Sequence, residues 1–184
     1  MNAEKPKNIK QSTRYLILCE GIDEKLFFMW YLDYLKKQGY TKMNSIQLED
    51  IGGNEDLKKQ LGLWKFVSGF EQLETIGIIR DAEKDANAAV RSIEQCFSDN
   101  GLTVPTDSFT LGVSENSPNT IYGVLPGIGE DGMLQNGTLE DLCLQILKDE
   151  KSESKMDMIK EYLDEIQSKF AYQIHHIHKS KLHT

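Results

Sequence analysis

The chain has 184 residues, 39% of them hydrophobic and 27% charged, with a formal net charge of −8. That size and composition suit one globular domain with a sizeable core, and no apolar run approaches the roughly 20 residues of a membrane span. The acidic balance excludes a large surface for coating DNA non-specifically, which needs a basic stripe.

Residues Met1 to Thr13 are polar and lack an apolar signal region, so they read as a frayed end and not as a secretory leader. A single domain is expected over 14–184. Its three cysteines, Cys19, Cys96 and Cys143, stand apart in apolar stretches, with neither metal-ligand spacing nor a disulfide framework. That usage points to a reducing cytoplasm.

The first element is the apolar run Tyr15 to Cys19, which reads as a strand buried on both faces, as in a parallel sheet between helices. Glu20 stands where that strand ends. Gly21 lets the chain turn and brings backbone close to a ligand. Asp23 then caps a helix with Leu26, Phe27, Trp30, Tyr34 and Leu35 at helical spacing, ending near Gly39. This aromatic stripe reads as core, not as a platform for stacked bases. A second strand runs from Ser45 to Ile51 and closes at Gly52-Gly53. The next helix carries Leu57, Leu61, Trp64 and Phe66, with Asn54 or Asp56 as its cap and Gly62 and Gly69 interrupting it.

Thr75 to Arg80 is a third apolar run, and it ends in Asp81-Ala-Glu83-Lys-Asp85. Ala86, Ala89, Val90, Ile93 and Phe97 form the apolar face of a helix that Asp85 caps and Asn100-Gly101 stops. Ser108 to Val113 and Thr120 to Leu125 read as two more strands joined by a turn at Ser114–Asn119. The alternation predicts an α/β fold, a mostly parallel central sheet flanked by helices, with right-handed crossovers. Gly127 to Gly137 is a glycine-rich loop without the lysine and spacing of a P-loop. Thr138-Leu-Glu-Asp141 looks like a capping box, and its acids are also those that the start of a helix favours. A long C-terminal helix follows, with Ile159, Tyr162, Leu163, Ile166, Phe170, Ile174 and Ile177 as its stripe. His175 and His178 have a zinc-binding spacing, but no nearby cysteine or acid cluster completes a site, so they read as exposed histidines.

In open α/β sheets ligands bind at the carboxyl ends of the strands. If the first and third runs are parallel neighbours, Glu20, Asp81 and Glu83 converge on one edge. Three carboxylates do not all stay charged at close range without a counter-ion. A hard cation with oxygen ligands is the usual answer, and Mg²⁺ takes one or two carboxylates and keeps several waters.

An apolar strand ending in Glu20-Gly21, a helix, a later strand ending in Asp81-Ala-Glu83, then Leu125-Pro-Gly127 and Gly137-Thr-Leu-Glu-Asp-Leu142: this ordered set resembles the Toprim domain of topoisomerases, bacterial primases and OLD-family nucleases. It is most similar to small Toprim-related bacterial proteins near the OLD nucleases, and the resemblance covers roughly Arg14 to the C-terminus. Glu83 departs from the family's pattern, which has a second aspartate there. The resemblance implies a Rossmann-like topology and Mg²⁺ or Mn²⁺ held by Glu20, Asp81 and Glu83, with Glu140 a ligand for a second ion. It gives Glu20 the alternative role of general acid or base, and Lys181 or Lys179 that of neutralising phosphate. It also implies a nucleic-acid substrate, a partner ATPase as an open question, and a chain continuing past Lys179-Ser-Lys181. Strand passage and priming are not implied, because the domains that carry their nucleophilic tyrosine, zinc-binding and basic modules are missing. The expected function is metal-dependent phosphodiester hydrolysis. The alternative is a non-catalytic module that binds Mg²⁺, a nucleotide or a protein, its acids being solvated strand-end charges. Fold alone does not decide between them.

Overall fold

The computed structural model of the chain describes residues 8–52 and 57–149. The elements are β1 (Tyr15–Cys19), α1 (Ile22–Lys37), β2 (Ile46–Asp50), α2 (Leu57–Trp64), β3 (Thr75–Asp81), α3 (Ala86–Asp99), β4 (Asn119–Leu125) and α4 (Leu139–Asp149). The four strands form one all-parallel sheet in the order β2-β1-β3-β4. The register puts Tyr15 opposite both Ile46 and Thr75, and Thr75 opposite Asn119. The α/β class expected from the alternation of patterns is the one observed.

The strand order explains the layers. The chain leaves β1 for β2 on one side, then crosses back to β3 and continues outward to β4. Right-handed crossovers therefore put α1 on one face and α2 and α3 on the other. The α2 and α3 face holds the core: Leu16, Leu18, Ile76, Ile78, Tyr122 and Val124 from alternate strand positions meet Leu61, Ile93 and Phe97. All of these are buried. Side chains alternate between faces along a strand, so Ile17, Ile79 and Ile121 belong to the α1 face. The reversal of winding falls between β1 and β3, and the crevice at such a switch point is where ligands bind in open sheets.

Three local expectations change. Ser108–Val113 is not a strand: Phe109 has φ +61, and Thr110 folds back on Asp107, its Oγ1 donating to the Asp107 carbonyl at 2.6 Å. Contact with β4 is reduced to an isolated bridge, Gly112 exchanging hydrogen bonds with Thr120 at 2.8 and 2.9 Å, and to the Phe109 N–H donating to the Tyr122 carbonyl at 2.7 Å. The cap of α1 is Gly21, not Asp23. Glu24 reaches back and accepts the Gly21 N–H at 2.8 Å, which satisfies a donor the helix leaves open. The α1 stripe is also not core among the described residues: Leu26 and Tyr34 are exposed and Trp30 is 80% exposed. The helix lies along the edge strand β2, where a narrow contact suffices, and Lys25 ties the two by pairing with Glu49 at 2.9 Å and Asp50 at 3.5 Å.

The helix after β2 buries Leu57, Leu61 and Trp64 as expected, but it ends at Trp64 and leaves Phe66 exposed. Its expected caps, Asn54 and Asp56, and Gly53 lie outside the described residues. So do the C-terminal helix, His175, His178, Lys179 and Lys181. No helix among the described residues is long and apolar enough to cross a membrane.

Candidate functional site at the strand ends

Glu20 extends the parallel ladder by one residue beyond β1, its N–H donating to the Ile79 carbonyl at 3.0 Å. Its side chain then turns toward β3. Glu20 Oε2 accepts the Asp81 N–H at 3.3 Å and lies 3.5 Å from Arg80 Nε. The two acidic strand ends therefore meet on one edge, at the switch point, as the parallel pairing requires.

Asp81 is 9% exposed, and its Oδ1 accepts the Leu139 N–H at 2.9 Å, at the start of α4. A two-way backbone exchange between Glu83 and Gly137, 2.8 Å in each direction, straps the glycine-rich loop to the end of β3. Asn136 adds a second strap, accepting from the Ala86 N–H and donating to the Lys84 carbonyl, both at 2.9 Å. These contacts bring the first turn of α4 over Asp81.

Half of the expected capping box is shown there, the Asp141 carboxylate reaching back to Thr138, and it separates two neighbouring acids. Asp141 Oδ2 accepts the Thr138 N–H at 2.9 Å and so serves the helix. Glu140 is buried and adds its negative charge to the surroundings of Asp81. Asp85 is likewise structural, capping α3 through the Ala88 N–H at 2.9 Å. Glu83 is exposed and has φ +54. Its charge is felt at Glu20.

Electrostatics mark this edge. Burial, reinforced by Glu24, Glu140 and Glu20 and opposed by the Leu139 N–H, pushes the Asp81 carboxyl up to about 7. Burial also raises Glu20; the Arg80 guanidinium and the Asp81 N–H pull it back, and Glu24 and Glu83 push it further up. Burial, then the Glu24 charge, lifts the Cys19 thiol to about 12. Cys19 is thus no nucleophile at neutral pH.

Among the described residues no three acidic, histidine or cysteine side chains form a metal-ligand group. Of the four expected ligands, Glu20 and Asp81 are brought together, Glu140 adjoins Asp81 electrostatically, and Glu83 stands at the exposed rim. The physical reason is that Glu20 is drawn onto Arg80 and the Asp81 amide, and Asp81 onto the Leu139 amide. Glu20 and Asp81 still suit a hard cation. Each makes its contacts through one oxygen, and among the described residues Glu20 Oε1 and Asp81 Oδ2 accept no hydrogen bond. Mg²⁺ needs only one or two carboxylates.

Two residues of this edge were not singled out from the sequence. Glu24 is buried and acts on Asp81, Glu20 and Cys19; its signal is an acid three residues after a Gly cap. Arg80 is 5% exposed, and among the described residues its Nε and Nη1 lack a hydrogen-bond partner. Its signal is position: Ile76, Ile78 and Arg80 share the inward parity of β3.

A family model described as "Protein of unknown function (DUF3226)" matches residues 14–184. The chain belongs to this family. No curated protein and no solved structure matches it. The DUF3226 match begins one residue before β1 and spans both acidic strand ends, the glycine-rich loop and α4.

Proposed function

We propose that the chain is a divalent-metal-dependent phosphodiester hydrolase acting on nucleic acid, with a Toprim-like domain related to those of OLD-type nucleases. One observation carries the reading: Glu20 and Asp81, from neighbouring parallel strands, stand together at the switch point, with the Asp81 carboxyl pushed up to about 7 by burial first and then by the acids around it. Such a concentration of carboxylate is relieved by a cation. Glu20 and Asp81 would hold Mg²⁺ or Mn²⁺, with Glu83 and Glu140 bordering a second position. Bound there, a divalent ion supplies charge to grip a phosphodiester and to acidify a water.

The chain's own residues do the rest. Arg80 anchors Glu20 against the end of β3. Glu20, raised above the usual carboxylate range, is suited to holding and releasing a proton as general acid or base. Gly21 turns the chain directly behind it and keeps the Glu24 carboxylate close. Lys181, outside the described residues, is assigned the neutralisation of phosphate. The net charge of −8 makes binding through this chain alone weak, which leaves room for a partner ATPase to supply more contacts.

A second reading, a non-catalytic metal-, nucleotide- or protein-binding module, is favoured by Arg80, which already serves Glu20 as an internal cation. Thermal melting with and without Mn²⁺ or Mg²⁺, for wild type and Asp81→Ala, tests for a site. A metal-dependent rise that the substitution abolishes supports it. Plasmid nicking with Mn²⁺ then separates the two readings: cleavage lost in Asp81→Ala is expected of the hydrolase, and metal binding without cleavage overturns it in favour of the module.

A further inference from the structure

Arg80 is the one cation buried within the acidic edge among the described residues. It is 5% exposed, and among the described residues its Nε and Nη1 have no hydrogen-bond partner. A buried guanidinium so incompletely satisfied is costly, and an apolar side chain there would serve stability as well. Its place in the ladder is what distinguishes it. Cys19 pairs with Ile79, so the next residues along, Glu20 and Arg80, stand opposite each other. Glu20 Oε2 lies 3.5 Å from Arg80 Nε, an ion pair without a hydrogen bond. Burial keeps water from screening that attraction.

The attraction is one-sided. The Arg80 guanidinium at 3.5 Å and the Asp81 N–H at 3.3 Å both act on Glu20 Oε2. Among the described residues Oε1 accepts no hydrogen bond. Asp81 is held in the same manner, its Oδ1 on the Leu139 N–H. An ion shared by both oxygens of Glu20 would sit against the positive charge of Arg80. An ion on Oε1 alone stands away from it. Hard cations differ in this respect. Ca²⁺ accepts more oxygens and readily takes both of one carboxylate, whereas Mg²⁺ demands an octahedron and keeps several of its waters.

We infer that Arg80 determines ion specificity: it confines Glu20 to one-oxygen coordination and so selects Mg²⁺ or Mn²⁺ over Ca²⁺. This rests on the metal-dependent reading of the site and adds to it the choice of ion. Arg80 is a positioning residue, acting on the ion only through Glu20. A guanidinium suits the task because it stays charged at any pH the folded chain meets. Partners of this kind, one step out from the ion, change metal affinity by about 10- to 100-fold when lost.

Calorimetric titrations of Mn²⁺ and of Ca²⁺ into the chelator-treated full chain give the two dissociation constants for wild type, Arg80→Met and Arg80→Lys. Their ratio is the readout. Removing a positive charge beside the site strengthens binding of every divalent ion, and that shared effect cancels in the ratio. A merely structural arginine would change stability, or both affinities together, and leave the ratio alone. Wild type is expected to prefer Mn²⁺. Arg80→Met, of similar length and without charge, is expected to move the ratio toward Ca²⁺ by about tenfold, and Arg80→Lys to keep it. A wild type that prefers Ca²⁺, an unchanged ratio in Arg80→Met, or an Arg80→Lys that shifts as far as Arg80→Met overturns the inference. If Arg80→Met does not fold, infrared spectra of the wild type decide. With ¹³C-carboxyl glutamate and Mg²⁺, the carboxylate bands that Glu20→Gln removes are expected to show the wide splitting of one-oxygen coordination; the narrow splitting of two-oxygen coordination overturns the inference. A wild type that binds neither ion contradicts the metal-dependent reading itself, and the choice of ion falls with it.

Discussion

Asp81→Asn removes the charge of the most perturbed acid while keeping its shape. The Asn Oδ1 still accepts the Leu139 N–H, so the start of α4 stays in place. In the folded chain Asp81 titrates near 7 instead of the ordinary 3.8. At 1.36 kcal/mol for each pH unit, that difference amounts to about 4 kcal/mol as a ceiling. Water at the sheet edge screens it, and about 2 kcal/mol is the expected size. The sign follows from proton linkage. Between about pH 4 and pH 7 the folded chain keeps a proton that the unfolded chain has lost, so wild-type stability falls as pH rises through that window. The variant has no such proton. In urea unfolding with a chelator present, Asp81→Asn is expected to match wild type near pH 4 and to exceed it by about 2 kcal/mol at pH 8. A variant that is less stable than wild type at pH 8, or a difference that does not change with pH, would refute the reasoning.

Three further outcomes are expected. Gly21→Ala places a Cβ 2.9 Å from Glu24 Oε2 and pushes that carboxylate off the Gly21 N–H, so it should cost about 1 kcal/mol in urea unfolding; an unchanged midpoint would count against the close approach. Asp85→Ala should cost about the same through the lost Ala88 cap while leaving any metal-dependent rise in melting temperature intact; loss of that rise would make Asp85 part of the site. A thiol reagent should reach half-buried Cys143 before Cys19 and Cys96, which are buried with thiols raised to about 12 and about 11. Rapid labelling of Cys19 in the folded chain would contradict the packing under β1.

The sequence made the edge legible because two short apolar runs each ended in an acid, and parallel pairing with a winding reversal turns two distant strand ends into neighbours. Glu20 and Asp81 were therefore placed by pattern alone. Ser108–Val113 misled because its apolar alternation is overruled by a turn at Asp107–Thr110 and by the positive φ of Phe109. Such local side-chain to backbone bonds compete with a strand and leave little trace in hydrophobicity. The α1 stripe misled for a different reason. Its spacing foretold a helix correctly, but which apolar surface covers a helix is a matter of topology. Glu24 and Arg80 went unremarked because each reads locally as ordinary, one as a first-turn acid and the other as a strand-end cation. Their meaning arises only when β1, α1 and β3 come together.

Calorimetric titration of Mn²⁺ into the chelator-treated chain at pH 8, in two buffers of different ionisation enthalpy, tests the shared acidic edge most directly. Saturable binding is expected, with proton release that grows as pH is lowered toward 7, because the ion displaces the proton held at Asp81, and with both signals lost in Asp81→Asn. Heats no larger than dilution, or the same binding in Asp81→Asn, would contradict it.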